Sequence, residues 1–131
     1  MKNLFIVLSV LTSFIFFNCK GQTDSEIKNI SVQEMKELLK MDDVQLVDVR
    51  TPEEYHSGFI ANAENMDYFS PSFDEEIKKL DKEKPVVLYC KSGNRSYKSS
   101  VKLLELGFHK IYNLDGGIIK WQQEGLDVKK E

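Results

Sequence analysis

Cysteine is nearly absent from this chain: 131 residues hold two, Cys19 and Cys90. That excludes a small fold stapled by disulfides. The residue three beyond Cys90 is Gly93, so a C-x-x-C redox pair is excluded too. Proline is scarce, with three residues, and neither repeats nor low-complexity tracts interrupt the chain, which argues for one folded unit. An excess of positive charge is also missing. Lys plus Arg number 18 against 21 Asp plus Glu, a net charge of −3, and no basic stripe tracks a phosphate backbone, so nucleic acid is not an expected partner. The two histidines, His56 and His109, have no metal-ligand spacing and read as surface residues; neither a metal nor another cofactor is expected. Finally, no apolar run reaches the roughly 20 residues that a membrane-spanning helix needs.

What stands at the N-terminus is a shorter run. Met1-Lys2-Asn3 is a brief basic start, residues 4–17 are nearly all apolar, and Cys19 follows at once. This is the pattern of a secretory signal. A cysteine directly after such a run resembles a bacterial lipoprotein, in which that residue becomes the lipidated N-terminus. Phe17 and Asn18 depart from the small residues usual there. The expected organisation is a lipoprotein-type signal peptide over 1–18, an anchor at Cys19, a polar tether over 19–28 and one domain over 29–128. An ordinary signal peptide cleaved near Cys19 is the alternative. The protein is then expected outside the cytoplasm, periplasmic or at the cell surface, held to the membrane by lipid. Lipidation of Cys19 leaves Cys90 as the single thiol of an exported domain, with no partner for a structural disulfide.

The 41% hydrophobic content suffices for a modest core, and its spacing predicts alternating elements. Ser31-Val32-Gln33-Glu34 is a capping box with Ile30 and Met35 as its hydrophobic staple, predicting a helix to about Lys40. Residues 44–49 have a strand's β-branched content. Thr51-Pro52-Glu53-Glu54 opens a short helix that Gly58 closes. Ser72 is expected to cap a further helix through Leu80. The run 85–89 is a buried strand ending at Cys90, a helix over 96–106 turns Val101, Leu103 and Leu104 inward, and residues 111–114 form a last strand. The Gly116-Gly117 turn leads into a terminal helix carrying Trp121, which reads as core. Such alternation predicts an α/β domain on a mostly parallel central sheet flanked by helices.

Cys90-Lys91-Ser92-Gly93-Asn94-Arg95-Ser96 therefore lies between a strand and a helix. A thiol there feels the partial positive charge of the helix N-terminus and the backbone N–H groups that small loop residues leave uncovered, so its pKa should fall. Thiolate is the nucleophilic form.

This loop resembles the C-x-x-G-x-R active-site loop of the rhodanese-like family of single-domain sulfurtransferases. Asp48-Val49-Arg50-Thr51-Pro52-Glu53-Glu54-Tyr55 matches the family's D-V-R-x-x-x-E-[FY], residues 58–65 match its G-H-I-x-G-A-x-N loosely, and Gly116-Gly117-Ile118-Ile119-Lys120-Trp121 matches its G-G-x-x-x-W. The departures are Phe59 for histidine and Asn62 for glycine. The resemblance implies a rhodanese-like domain whose Cys90 thiolate takes sulfur from a donor, thiosulfate or a persulfide, and passes it to a thiol or cyanide. It further implies that Lys91, Ser92, Gly93, Asn94, Arg95 and Ser96 cradle the anion, largely through backbone N–H groups, with Gly93 permitting close approach. Lys91 either adds positive potential at the pocket mouth or is a solvated charge. Arg95 is expected to brace the loop on a carboxylate, and Asp48 to position backbone or arginine. Arg50 is a candidate for the anion site or a partner for Glu54. The rivals are a cysteine-dependent phosphatase, which needs one more residue between cysteine and arginine, and a non-catalytic binding module of the same family, which commonly lacks the cysteine.

Overall fold

The structure, a computed structural model, describes residues 26–131. The signal segment 1–18 and the Cys19 anchor lie outside the described residues, as do residues 20–25. Five strands, β1 (Glu26–Ile30), β2 (Gln45–Asp48), β3 (Glu64–Asn65), β4 (Val86–Tyr89) and β5 (Lys110–Leu114), form one parallel sheet in the order β1-β5-β4-β2-β3. Around it lie α1 (Val32–Leu38), α2 (Pro52–His56), α3 (Phe73–Ile77), α4 (Asn94–Glu105) and α5 (Gly117–Gln123).

Strand alternation splits the core into two layers. Val86, Leu88 and Cys90 face a cluster with Phe73, Ile77, Leu103 and Phe108, under α3 and α4. Val87 and Tyr89 face the opposite cluster with Met35, Ile118 and Trp121, under α1 and α5. Strand β4 is thus covered on both faces, which is why its residues read as an unbroken apolar run. Trp121 is core, as expected, and its indole N–H donates to the Asp127 carbonyl at 3.0 Å.

Two helix starts form as the sequence predicts. The Ser31 hydroxyl accepts the Glu34 N–H at 3.1 Å while the Glu34 carboxylate accepts the Ser31 N–H at 3.3 Å, and Thr51 and Glu54 make the same reciprocal pair before Pro52. The third does not. Ser72 sits at φ −90° and ψ 0° rather than in the extended conformation a capping side chain needs, its hydroxyl meets Ser70, and α3 stops at Ile77.

Other expectations are corrected. Residues 26–28, read as tether, belong to β1, and Phe59 and Lys129 pair across an isolated bridge, so ordered structure extends slightly beyond 29–128 at both ends. β1 is an edge strand in which Ile30 alone is fully buried, so it lacks the apolar pattern that marks an inner strand. Helix α4 turns Ser96, Ser99, Ser100 and Leu103 inward, with Val101 and Leu104 only half-buried. Small serines let α4 lie close to the sheet; the Ser99 and Ser100 hydroxyls donate to the carbonyls of Arg95 and Ser96 at 2.8 Å each. Asn62, standing where the family pattern has glycine, holds φ +69°, the left-handed region that asparagine tolerates better than other side chains.

Candidate active site

Parallel strands bring their C-terminal ends to one edge of the sheet, where ligands bind in folds of this kind. Here that edge carries Cys90 after β4, Asp48 and Arg50 around the end of β2, and Gly116 after β5.

Cys90 is 1% exposed, and its Sγ lies against the first turn of α4. The Gly93 N–H donates to it at 3.1 Å and the Ser96 hydroxyl at 3.3 Å. Burial pushes the thiol's pKa up, but hydrogen bonds from the Ser96 hydroxyl and from the backbone of Ser96, Gly93 and Ser92 outweigh it, and the net shift is downward. The direction agrees with the one expected from the sequence, and its sources are three loop peptides and one hydroxyl. No side-chain cation contacts the sulfur among the described residues.

The two glycines serve the loop in different ways. Gly93 is required by its conformation, φ +107°, since a Cβ there would meet neighbours only at 3.5 Å. Gly117 lets α5 pack against the thiol loop, since a Cβ there would lie within 2.6 Å of the Cys90 carbonyl oxygen and closer still to that of Lys91. With no side chain in the way, the first N–H groups of α5 cap the loop: Ile118 donates to Cys90 O at 2.9 Å and Ile119 to Lys91 O at 3.2 Å. The G-G turn thus clamps the thiol loop from its far side.

Arg95 braces the loop as expected, and the carboxylate is Glu54. Two parallel bonds of 2.8 and 2.9 Å join them, and the Arg95 guanidinium also lies 5.5 Å from the Phe69 ring centre. Arg95, with some opposition from burial, holds the Glu54 pKa at about 2 against an ordinary 4.5. Phe69 was invisible as a site neighbour in the sequence, having no motif around it. Lys91, Ser92 and Asn94 are exposed, and the Lys91 ammonium has no partner among the described residues.

Arg50 does not join the anion cradle, nor does it pair with Glu54. It is 5% exposed, and its side chain bonds Asp48 at 2.6, 3.0 and 3.1 Å and the Gly58 carbonyl at 2.7 Å. The Asp48 carboxylate also accepts the Arg50 backbone N–H at 2.9 Å, so this side chain positions arginine and backbone together. Asn65 completes the turn by donating to the carbonyls of Asp48 and Arg50. No group of three or more potential metal ligands occurs among the described residues.

The model of the Rhodanese-like domain matches residues 31–124. The chain is 39% identical over 95 residues to the thiosulfate sulfurtransferase GlpE of Coxiella burnetii, covering 72% of this chain and 87% of that protein. It is 41% identical over 107 residues to the tRNA uridine(34) hydroxylase of Cytophaga hutchinsonii, where the match takes in 78% of this chain but 34% of the larger protein. Among solved structures, a rhodanese-related protein from Thermoplasma volcanium superposes with a TM-score of 0.70 at 32% identity, over 79% of this chain and 99% of the other.

Proposed function

Because the chain belongs to the rhodanese-like domain family, we propose that it is a thiosulfate-type sulfurtransferase that carries sulfur on Cys90. The observation behind this reading is the buried Cys90 sulfur receiving the Gly93 N–H and the Ser96 hydroxyl at the N-terminus of α4. The thiolate attacks the outer sulfur of thiosulfate; a new sulfur–sulfur bond forms, the bond within thiosulfate breaks, and sulfite leaves with its electron pair. The persulfide keeps one negative charge, which the loop dipoles hold. A thiol or cyanide acceptor then attacks the terminal sulfur, and the Cys90 thiolate departs in its original state.

Two features weigh against a phosphatase. Four residues separate Cys90 from Arg95, and that arginine is tied to Glu54 and Phe69 instead of being free to grip a phosphate. The presence of Cys90 weighs against a purely binding module. Intact mass after thiosulfate treatment should show one added sulfur atom, lost in Cys90→Ser, with sulfur transfer abolished and circular dichroism unchanged. Transfer by the serine variant at the wild-type rate would overturn the mechanism, and robust release of phosphate from aryl phosphates would favour the rival.

The N-terminal pattern supports an address as well: export, with Cys19 lipidated and the domain held at a membrane. Wild-type protein should fractionate with membranes and Cys19→Ala should release it; a wholly soluble wild type with Cys19 unmodified refutes the anchor and leaves the catalytic reading standing.

A further inference from the structure

One buried polar side chain near the thiol loop has no part in the chemistry above. Asn113, on β5, is 4% exposed, and it faces the same side of the sheet as Leu88 and Ile111, in register with Leu88 and Asn29. Its Nδ2 donates to Asn29 Oδ1 at 3.0 Å and to the Gly93 carbonyl at 3.4 Å. Its Oδ1 is the one buried side-chain oxygen or nitrogen without a hydrogen-bond partner among the described residues. A buried acceptor left unpaired costs stability, so it calls for an explanation. Rotating the amide would not cure it, because the carbonyl of Gly93 can only accept and would then face an oxygen.

We propose that Asn113 is a positioning residue for the thiol cradle, its amide fixing the Gly93 carbonyl from the sheet side and, across the Gly93 Cα, the orientation of the N–H that meets the sulfur. Gly93 is the pivot of the loop. Its N–H points at the Cys90 sulfur, its φ of +107° is open to few other residues, and its carbonyl takes the Tyr97 N–H at 3.1 Å as well as the Asn113 amide. Glycine has no side chain to hold it there, so its orientation depends on what grips its two polar groups. The Tyr97 contact comes from α4 and moves with the loop. Asn113 is different: its backbone is held between β1 and β4, so it ties the pivot to the rigid sheet. The unpaired oxygen is the cost of pointing both N–H groups outward.

This inference rests on Cys90 being the reactive group, and its test reads the thiol directly. In Asn113→Leu, which keeps volume and removes both donors, the midpoint of the pH profile for iodoacetamide alkylation of Cys90 should rise by on the order of half to one pH unit. Thiosulfate turnover should fall at neutral pH and recover above the new midpoint, while the thermal midpoint stays level or rises. Asn113→Thr, which suits a strand and whose hydroxyl is too short to reach Gly93, should show the same displacement. Asn29→Ala, which spares the Gly93 contact, should move the profile less. An alkylation midpoint equal to wild type in a folded Asn113 variant, or an equal shift in Asn29→Ala, overturns the proposal. Failure of the wild type to transfer sulfur would count against the sulfurtransferase reading alone, since alkylation does not depend on it.

Discussion

Two buried acidic side chains, Asp48 at the end of β2 and Cys90 after β4, lie at the C-terminal edge of the sheet, and they are held in opposite ways. Asp48 has a full cation against it, with Arg50 filling its oxygens and the Gly58 carbonyl completing the arginine's contacts. Cys90 is hydrogen-bonded by dipoles, the N–H of Gly93 and the hydroxyl of Ser96, and its nearest interacting cation, Arg95, is spent on Glu54. A carboxylate paired with a guanidinium in a buried site is neutral and saturated, and it offers nothing to a substrate. A thiolate held by hydrogen-bond dipoles stays nucleophilic, because no ion pair saturates the sulfur. The same edge of one sheet therefore carries a structural lock and the proposed chemical site, and the difference between them is whether an ion pair or hydrogen-bond dipoles hold the acidic group.

The largest effect that would sharpen this contrast is on the lock. Arg50→Met leaves Asp48 charged and buried, and should destabilise the domain by about 3–5 kcal/mol in urea unfolding. Asp48→Asn combined with it should recover part of that loss. Turnover per folded molecule should stay within a few-fold of wild type; a collapse of turnover in the folded fraction would show that the two centres are one.

Next comes the geometry of the dipoles. Gly117→Ala would drive a methyl group into the carbonyls of Cys90 and Lys91, both of them backbone atoms that cannot swing aside. Turnover with thiosulfate should fall on the order of 100-fold, the scale of losing one preorganised donor, as steady-state kinetics would measure. Wild-type rates in this variant would mean that the cradle tolerates displacement and that its aim is unimportant.

The smallest effect belongs to Lys91, an exposed loop charge with no partner among the described residues. Lys91→Ala should weaken thiosulfate use only a few-fold, through KM, and the deficit should shrink as ionic strength rises. A loss exceeding that of Gly117→Ala would reverse the comparison and put side-chain charge ahead of backbone dipoles.

Much of this was legible in the residues. Capping boxes at Ser31 and Thr51, the apolar run 85–89 and the Gly-containing loop after Cys90 are local signals, set by which side chain can satisfy which nearby backbone group, and they place Cys90 between strand and helix without reference to the rest of the chain. The edge strand 26–30 was not legible, since half its residues face solvent and its pairing partner lies in β5. Nor was the inward face of α4, where serines occupy positions that periodicity assigns to larger apolar residues. The sequence by itself determined that the Cys90 thiol would sit between a buried strand and a helix start, because those signals act over a few residues. Only the tertiary structure decided that Arg50 locks onto Asp48, that Arg95 reaches Glu54 41 positions away, and that Asn113 and the first turn of α5 grip the loop from two sides. Those choices depend on which strand ends become neighbours, and chain-distant contacts of that kind follow from packing the whole sheet.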